Sequence, residues 1–212
     1  QDRMDGFKRL RGADGHRAVA DRRDKGGAWT EIAAPAYPPK PEGLNDVDVW
    51  GRPVKWTTQM IWALEPGGTD EPGTLWAGTM PGGLFRSRDR GENWEMIRPL
   101  WDMPERNKWL GGGADIPGIH SICVDPRSSK TVRIAISCGG VWATHDGGAT
   151  WEQNAHGMHF DDGPTKDDPD TQDPHMMVQS PSHPERFWVQ HHCGIWRSAD
   201  DAKSWQRVHA RP

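Results

Sequence analysis

His120 in "PGIHSI" and His175 in "DPHMMV" each stand six residues before a proline, Pro126 and Pro181. Asp115 precedes the first histidine by five residues and Asp173 precedes the second by two. Imidazole and carboxylate converging from separate segments can bind a divalent metal or act as general acid and base. The segment "QHHCG" (190–194) adds His191, His192 and Cys193, and "SCGG" (137–140) adds Cys138. His120, His175 and His191 form the metal-ligand set these positions suggest. Asp115 and Asp173, with His120 and His175, are the groups available for catalysis. Trp101 and Trp109, near the glycines at 111–113, offer flat faces for a sugar, with His191 and His192 as further ligand contacts. A plainer reading stands beside this one. Strand-end histidines often bond backbone carbonyls, and the cysteines suit buried small positions. The tryptophans suit packing over a neighbouring unit. The loop "HFDDGPTKDDPDTQD" (159–173), with six aspartates and one lysine, reads as a calcium loop or, more simply, a solvated one.

These residues need elements to position them, and a repeat supplies the register. "SRDRGENW" (87–94), "THDGGATW" (144–151) and "SADDAKSW" (198–205) share the frame Ser/Thr-x-Asp-x-Gly-x-x-Trp. The looser "RRDKGGAW" (22–29) precedes them. The framework positions are Asp24, Gly26 and Trp29; Ser87, Asp89, Gly91 and Trp94; Thr144, Asp146, Gly148 and Trp151; and Ser198, Asp200 and Trp205. Ala202 replaces the glycine of the last copy, and Arg22 the hydroxyl residue of the first. The tryptophans are 65, 57 and 54 residues apart, one supersecondary unit per copy.

Upstream of each of the three later octapeptides lie three β-like runs, such as "HSICVDP", "VRIAIS" and "GGVWAT", and a short run follows each tryptophan. Each unit therefore reads as four antiparallel strands, A to D, with the octapeptide at the C–D turn. This predicts an all-β chain in which each unit is a β-propeller blade. Three full blades are expected at about 56–100, 117–157 and 173–209, after the last strand of an earlier one. Residues 1–21 read as an irregular or truncated start, and 22–212 as part of a six- or seven-bladed propeller. In an up-and-down blade the D–A loops leave the end opposite the octapeptides. Those loops are long (36–57, 98–118 and 157–174), and His120 and His175 begin A strands on that face.

The octapeptides resemble Asp-boxes, or BNR repeats, found in sialidase-like propellers, sortilin-type receptors and photosystem assembly factors. "APAYPPKPEG", "GTLWAGTMPGGLFRS" and "WVQHHCGIWRS" further resemble bacterial propeller proteins labelled as glycosyl hydrolases. The resemblance implies a structural role for the boxes and a glycosidase-like activity. Sialidases require an arginine cluster and a tyrosine nucleophile, whereas the only tyrosine here is Tyr37, in a proline-rich loop.

Composition narrows the classes further. A net charge of -4 with interspersed signs gives no nucleic-acid footprint. No apolar run approaches a membrane span, and no signal-peptide segment is visible, which favours the cytoplasm. Three cysteines are too few for a disulfide framework. The expected partner is a small molecule, glycan or protein on the loop face; the residues name no cofactor, a divalent metal being the candidate they offer. The alternative is a non-catalytic protein- or glycan-binding scaffold.

Overall fold

The computed structural model describes residues 31–111 and 115–209, with the backbone of 7–9, 19–21 and 30. Asp24, Gly26 and Trp29 of the first octapeptide lie outside the described residues, as do Gly112 and Gly113. Three sheets of four antiparallel strands follow one another along the chain. The first contains β4 (Met60–Pro66), β5 (Leu75–Met80), β6 (Leu84–Ser87) and β7 (Glu95–Met96). The second contains β8 (Ile119–Val124), β9 (Val132–Ile136), β10 (Gly140–Thr144) and β11 (Glu152–Gln153). The third contains β12 (Pro174–Gln179), β13 (Phe187–His191), β14 (Gly194–Ser198) and β15 (Gln206–Arg207). Ahead of them β1 (Phe7–Arg9), β2 (Val19–Asp21) and β3 (Thr30–Ile32) form a three-stranded sheet. β1 and β2 fall within residues 1–21. Their short, charged sequences carry no alternation by which to recognise them.

Each of the three described octapeptides is the same turn built from its own side chains. The Ser87 hydroxyl donates to Asp89 and accepts the Gly91 N–H, both at 2.8 Å. Asp89 in turn accepts the backbone and side-chain N–H groups of Asn93. These bonds, the Asn93 side chain first, hold the Asp89 carboxyl down to about 2. Thr144 with Asp146, and Ser198 with Asp200, repeat the arrangement. The chain is left-handed at the fourth and fifth positions of all three turns: Arg90 and Gly91, Gly147 and Gly148, Asp201 and Ala202. Glycine suits the fifth position because its Cα faces the preceding unit. A Cβ on Gly91 would meet Ile32 at 2.6 Å.

The hydrophobic core consists of slabs between sheets. One slab joins Trp76 and Leu84 of the first sheet to Ile119, Ile122 and Trp142 of the second. Another joins Ala135 and Val141 to Met177, Phe187 and Trp205. An arginine crosses each of these junctions to the same place on the next octapeptide. Arg86 Nη1 donates to the Gly147 carbonyl at 2.7 Å, and Arg133 Nε to the Asp201 carbonyl at 2.8 Å. Arg133 also pairs with buried Asp125 at 3.0 Å and lies over the Phe187 ring. On the third sheet, Trp188 and Arg197 hold the register positions of Trp76 and Arg86. There they are exposed, beside Met176, Val178 and Ile195. The face that elsewhere receives the next sheet is open, as in part of a larger propeller.

Replacing Arg133 by alanine leaves the Asp125 carboxylate buried with one arginine fewer and opens the second junction. The expected loss is about 3 kcal/mol of stability, read from chemical denaturation. A change below about 0.5 kcal/mol would show that the junction does not depend on it.

Candidate functional site

The inner strands β4, β8 and β12 share an irregularity that decides the site. Each carries one extra residue near its start, between Ile61 and Ala63, Ile119 and Ser121, and Pro174 and Met176. The extra residues are Trp62, His120 and His175. A bulge leaves its residue unpaired and re-aims the side chain. His120 and His175 are thus equivalent by register, and Trp62 is the third member of the series. Its ring meets His120 edge-on at 5.7 Å. Sequence reading missed Trp62, because its strand closes on Pro66 four residues later instead of six.

Asp173 forms the centre. It is buried, and its Oδ1 accepts the Cys138 N–H at 3.1 Å. Its Oδ2 lies 3.0 Å from His175 Nε2 and 3.7 Å from His192 Nδ1. The backbone N–H of His192 donates to the Asp173 carbonyl at 3.0 Å, locking the D–A loop to the B–C turn. His175 and His192 are exposed, with side chains 41% and 63% accessible. The Cys138 thiol is pushed up to about 12 by burial and by the Asp173 charge, so it stays protonated at neutral pH.

The other expected residues take different positions. His191 is buried; its Nδ1 accepts the Cys193 N–H at 3.1 Å and its Nε2 meets Gln172 Oε1 and the Asp173 N–H. Both nitrogens are engaged, so His192 and not its neighbour joins Asp173. Strand alternation explains the exchange: β13 buries Phe187, Val189 and His191, whereas His192 lies one step beyond. His120 Nδ1 meets Ser121 Oγ at 2.8 Å, and that hydroxyl also accepts the Met177 N–H. The hydroxyl proton is then assigned to His120 Nδ1, which places the ring proton on Nε2. Nε2 is buried without a hydrogen-bond partner, although the Pro174 carbonyl and Asp173 are close enough to favour a proton there. Burial nevertheless holds the pKa of His120 down to about 4.

Asp115 lies apart from this group; its carbonyl accepts from Arg52, and its backbone is left-handed. Trp101 and Trp109 are buried, each about 1% accessible, and present no face to a sugar. Trp101 packs edge-on against Tyr37 and Trp56 under the Arg106 guanidinium, and Trp109 packs on Trp142. Tyr37 is no nucleophile in waiting. Its hydroxyl meets Thr79 Oγ1 and accepts the Gly83 N–H, and burial drives its pKa well above the usual phenol value.

The three D–A loops are tied to one another. Buried Asp46 receives Arg106 Nη2 at 2.5 Å and Trp56 Nε1 at 2.7 Å. Lys108 reaches Asp170 at 2.7 Å, and Arg207 reaches Asp161 at 2.6 Å. Asp168 and Asp170 share Lys108, Asp161 pairs with Arg207 and Asp173 meets His175 and His192, so among the described residues the acidic loop does not gather its carboxylates as a calcium loop does. Among the described residues, the exposed aromatic surface on this side is Trp50, under the Arg52 guanidinium, and Trp62.

Fold and site together define a partial β-propeller of four-stranded blades with a histidine–carboxylate group where the inner strands begin. Solved structures agree on the fold. A crystal structure of an ancestral GH74 enzyme matches with a TM-score of 0.61 at 14% identity, covering 97% of this chain and 23% of that one. The GH74 xyloglucanase of Xanthomonas campestris gives 0.54 at 16% identity, covering 98% and 29%. YCF48 of Cyanidioschyzon merolae gives 0.50 at 15%, covering 97% and 52%. In sequence, 91 residues are 36% identical to an oligoxyloglucan-reducing end-specific xyloglucanase of Emericella nidulans, 42% of this chain and 10% of that protein. A probable enzyme of the same kind from Neosartorya fischeri is 32% identical over 83 residues, 39% of this chain and 9% of that protein. No family model matches the chain. The likeness is that of a glycosyl-hydrolase-like propeller, and the chain spans about a tenth of the curated relatives it matches.

Two predictions follow from the contrast between neighbouring histidines and from their burial. His191→Ala removes both engaged ring nitrogens and should destabilise the fold by about 2 kcal/mol, whereas exposed His192→Ala should change it by less than about 0.5 kcal/mol. Thermal melts of the two variants check this. His120 and His191 both fall from 6.5 to about 4 on folding, chiefly through burial. The unfolded chain therefore binds more protons between these values. Stability should be complete above pH 6.5 and decline as pH falls towards 4, and denaturation at pH 7 and 5 would reveal the difference.

Proposed function

We propose that the chain is part of an Asp-box propeller that recognises carbohydrate on its loop face. The observation carrying this reading is the series of three bulge residues at the inner strands. It sets an exposed indole, Trp62, edge-on against His120, and places the Asp173–His175 pair, with its exposed imidazole, in the next blade. An aromatic face takes the apolar face of a sugar ring, and donors and a carboxylate take its hydroxyls. The partial likeness to xyloglucan-cleaving enzymes favours plant β-glucan oligosaccharides as first ligands over sialosides. Buried, hydrogen-bonded Tyr37 also argues against sialidase chemistry in this piece.

Calorimetric titration with xyloglucan oligosaccharides, cello-oligosaccharides and sialyllactose tests the reading. Binding of a glucan, weakened about tenfold by Trp62→Ala with the fold intact, is the expected outcome. Failure of all three to bind the folded protein, or a Trp62→Ala variant that binds undiminished, would count against it.

A further inference from the structure

The Asp173 group has the composition of a cation site as well as that of a sugar site. We propose that Asp173 Oδ2, His175 Nε2 and His192 Nδ1 bind one divalent transition-metal ion, with open coordination positions turned to solvent. This goes beyond carbohydrate recognition and does not depend on it.

Geometry comes first. The three atoms lie within 4.8 Å of one another, two of the separations being 3.0 and 3.7 Å. Ligands about 2.0–2.2 Å from a tetrahedral ion stand about 3.3–3.6 Å apart, so small side-chain rotations close the set. Among the described residues this is the one group of three His, Cys, Asp or Glu side chains so arranged.

The support around the ligands fits the same use. Asp173 Oδ1 is occupied by the Cys138 N–H, leaving Oδ2 as a monodentate ligand of fixed direction. His191 accepts the Cys193 N–H through Nδ1 and meets Gln172 through Nε2, and so stiffens the two segments bearing Asp173 and His192. Such outer contacts orient ligands and raise affinity. The bulge at His175 turns its ring out of the ladder toward Asp173.

Chemistry chooses the ion. Two imidazoles and one carboxylate favour Zn²⁺, Co²⁺, Ni²⁺ or Fe²⁺ over Ca²⁺ and Mg²⁺, which prefer oxygen. Three protein ligands with two exposed rings leave room for water or a sugar hydroxyl, in contrast to a closed four-ligand structural site. His120 stays outside the set. Its Nδ1 is taken by Ser121, and its Nε2 is buried away from solvent.

The test is titration of the chelator-treated full chain with Zn²⁺ and Co²⁺, followed by calorimetry and by the visible Co²⁺ spectrum. One equivalent should bind, and Ca²⁺ should not compete. His175→Ala and His192→Ala, both at exposed positions, should each weaken Zn²⁺ at least tenfold, and the double variant should lose the stoichiometric site. His183→Ala, an exposed histidine on another loop, should leave it unchanged. Absence of a stoichiometric site in the wild-type chain, or a double variant that binds as well as wild type, would overturn the proposal and leave Asp173–His175 as a plain ion pair. If Asp173→Asn fails to fold, the two histidine variants, verified by circular dichroism, still decide the matter.

Discussion

The contact on which the arrangement most depends is the one between an arginine of one blade and the octapeptide carbonyl of the next. A blade alone has two apolar faces and cannot bury both. The left-handed fourth position of the octapeptide turns its carbonyl back toward the preceding blade, where Arg86 or Arg133 meets it. The serine or threonine and the aspartate keep that turn closed, so the carbonyl stays in place. Arg86 comes from the C strand of the first blade and Arg133 from the B strand of the second, yet both reach the same target. The constraint is therefore on the destination, not on the strand that supplies the charge.

Blade spacing set in this way determines the opposite face. The inner strands come side by side, and the bulge at the start of each adds one residue outside the ladder. Trp62, His120 and His175 are the result. Around them, Asp46 with Arg106 and Lys108 with Asp170 hold the D–A loops in a fixed relation. Asp46 and Arg106 are largely buried, which lends their pair more weight than a surface ion pair of the same geometry. The face bearing the functional group is therefore built of tethered loops around a shared register.

Much of this was legible along the chain. The octapeptides marked C–D turns because serine, aspartate, glycine and tryptophan each have a separate physical task at a fixed offset. Equivalence of His120 and His175 followed from their spacing to Pro126 and Pro181. Less legible was the choice between His191 and His192, which strand alternation inverts. Trp101 and Trp109 looked available because they sit in a long loop, but an α-turn at Arg98–Trp101 and a 3-10 turn at Pro104–Lys108 fold that loop onto the core. Arg86 and Arg133 could not be distinguished from surface arginines without knowing what lies across the junction.

By itself, then, the sequence determined the blade repeat, its turn chemistry and which end of each blade carries long loops. Local hydrogen bonding and strand periodicity act over a few residues, so they leave a trace at fixed spacing. Only the tertiary structure decided which polar groups meet. Asp173, His175 and His192 converge because a D–A loop, an inner strand and a B–C turn close on one point. Such contacts depend on packing between segments, and packing has no period to read.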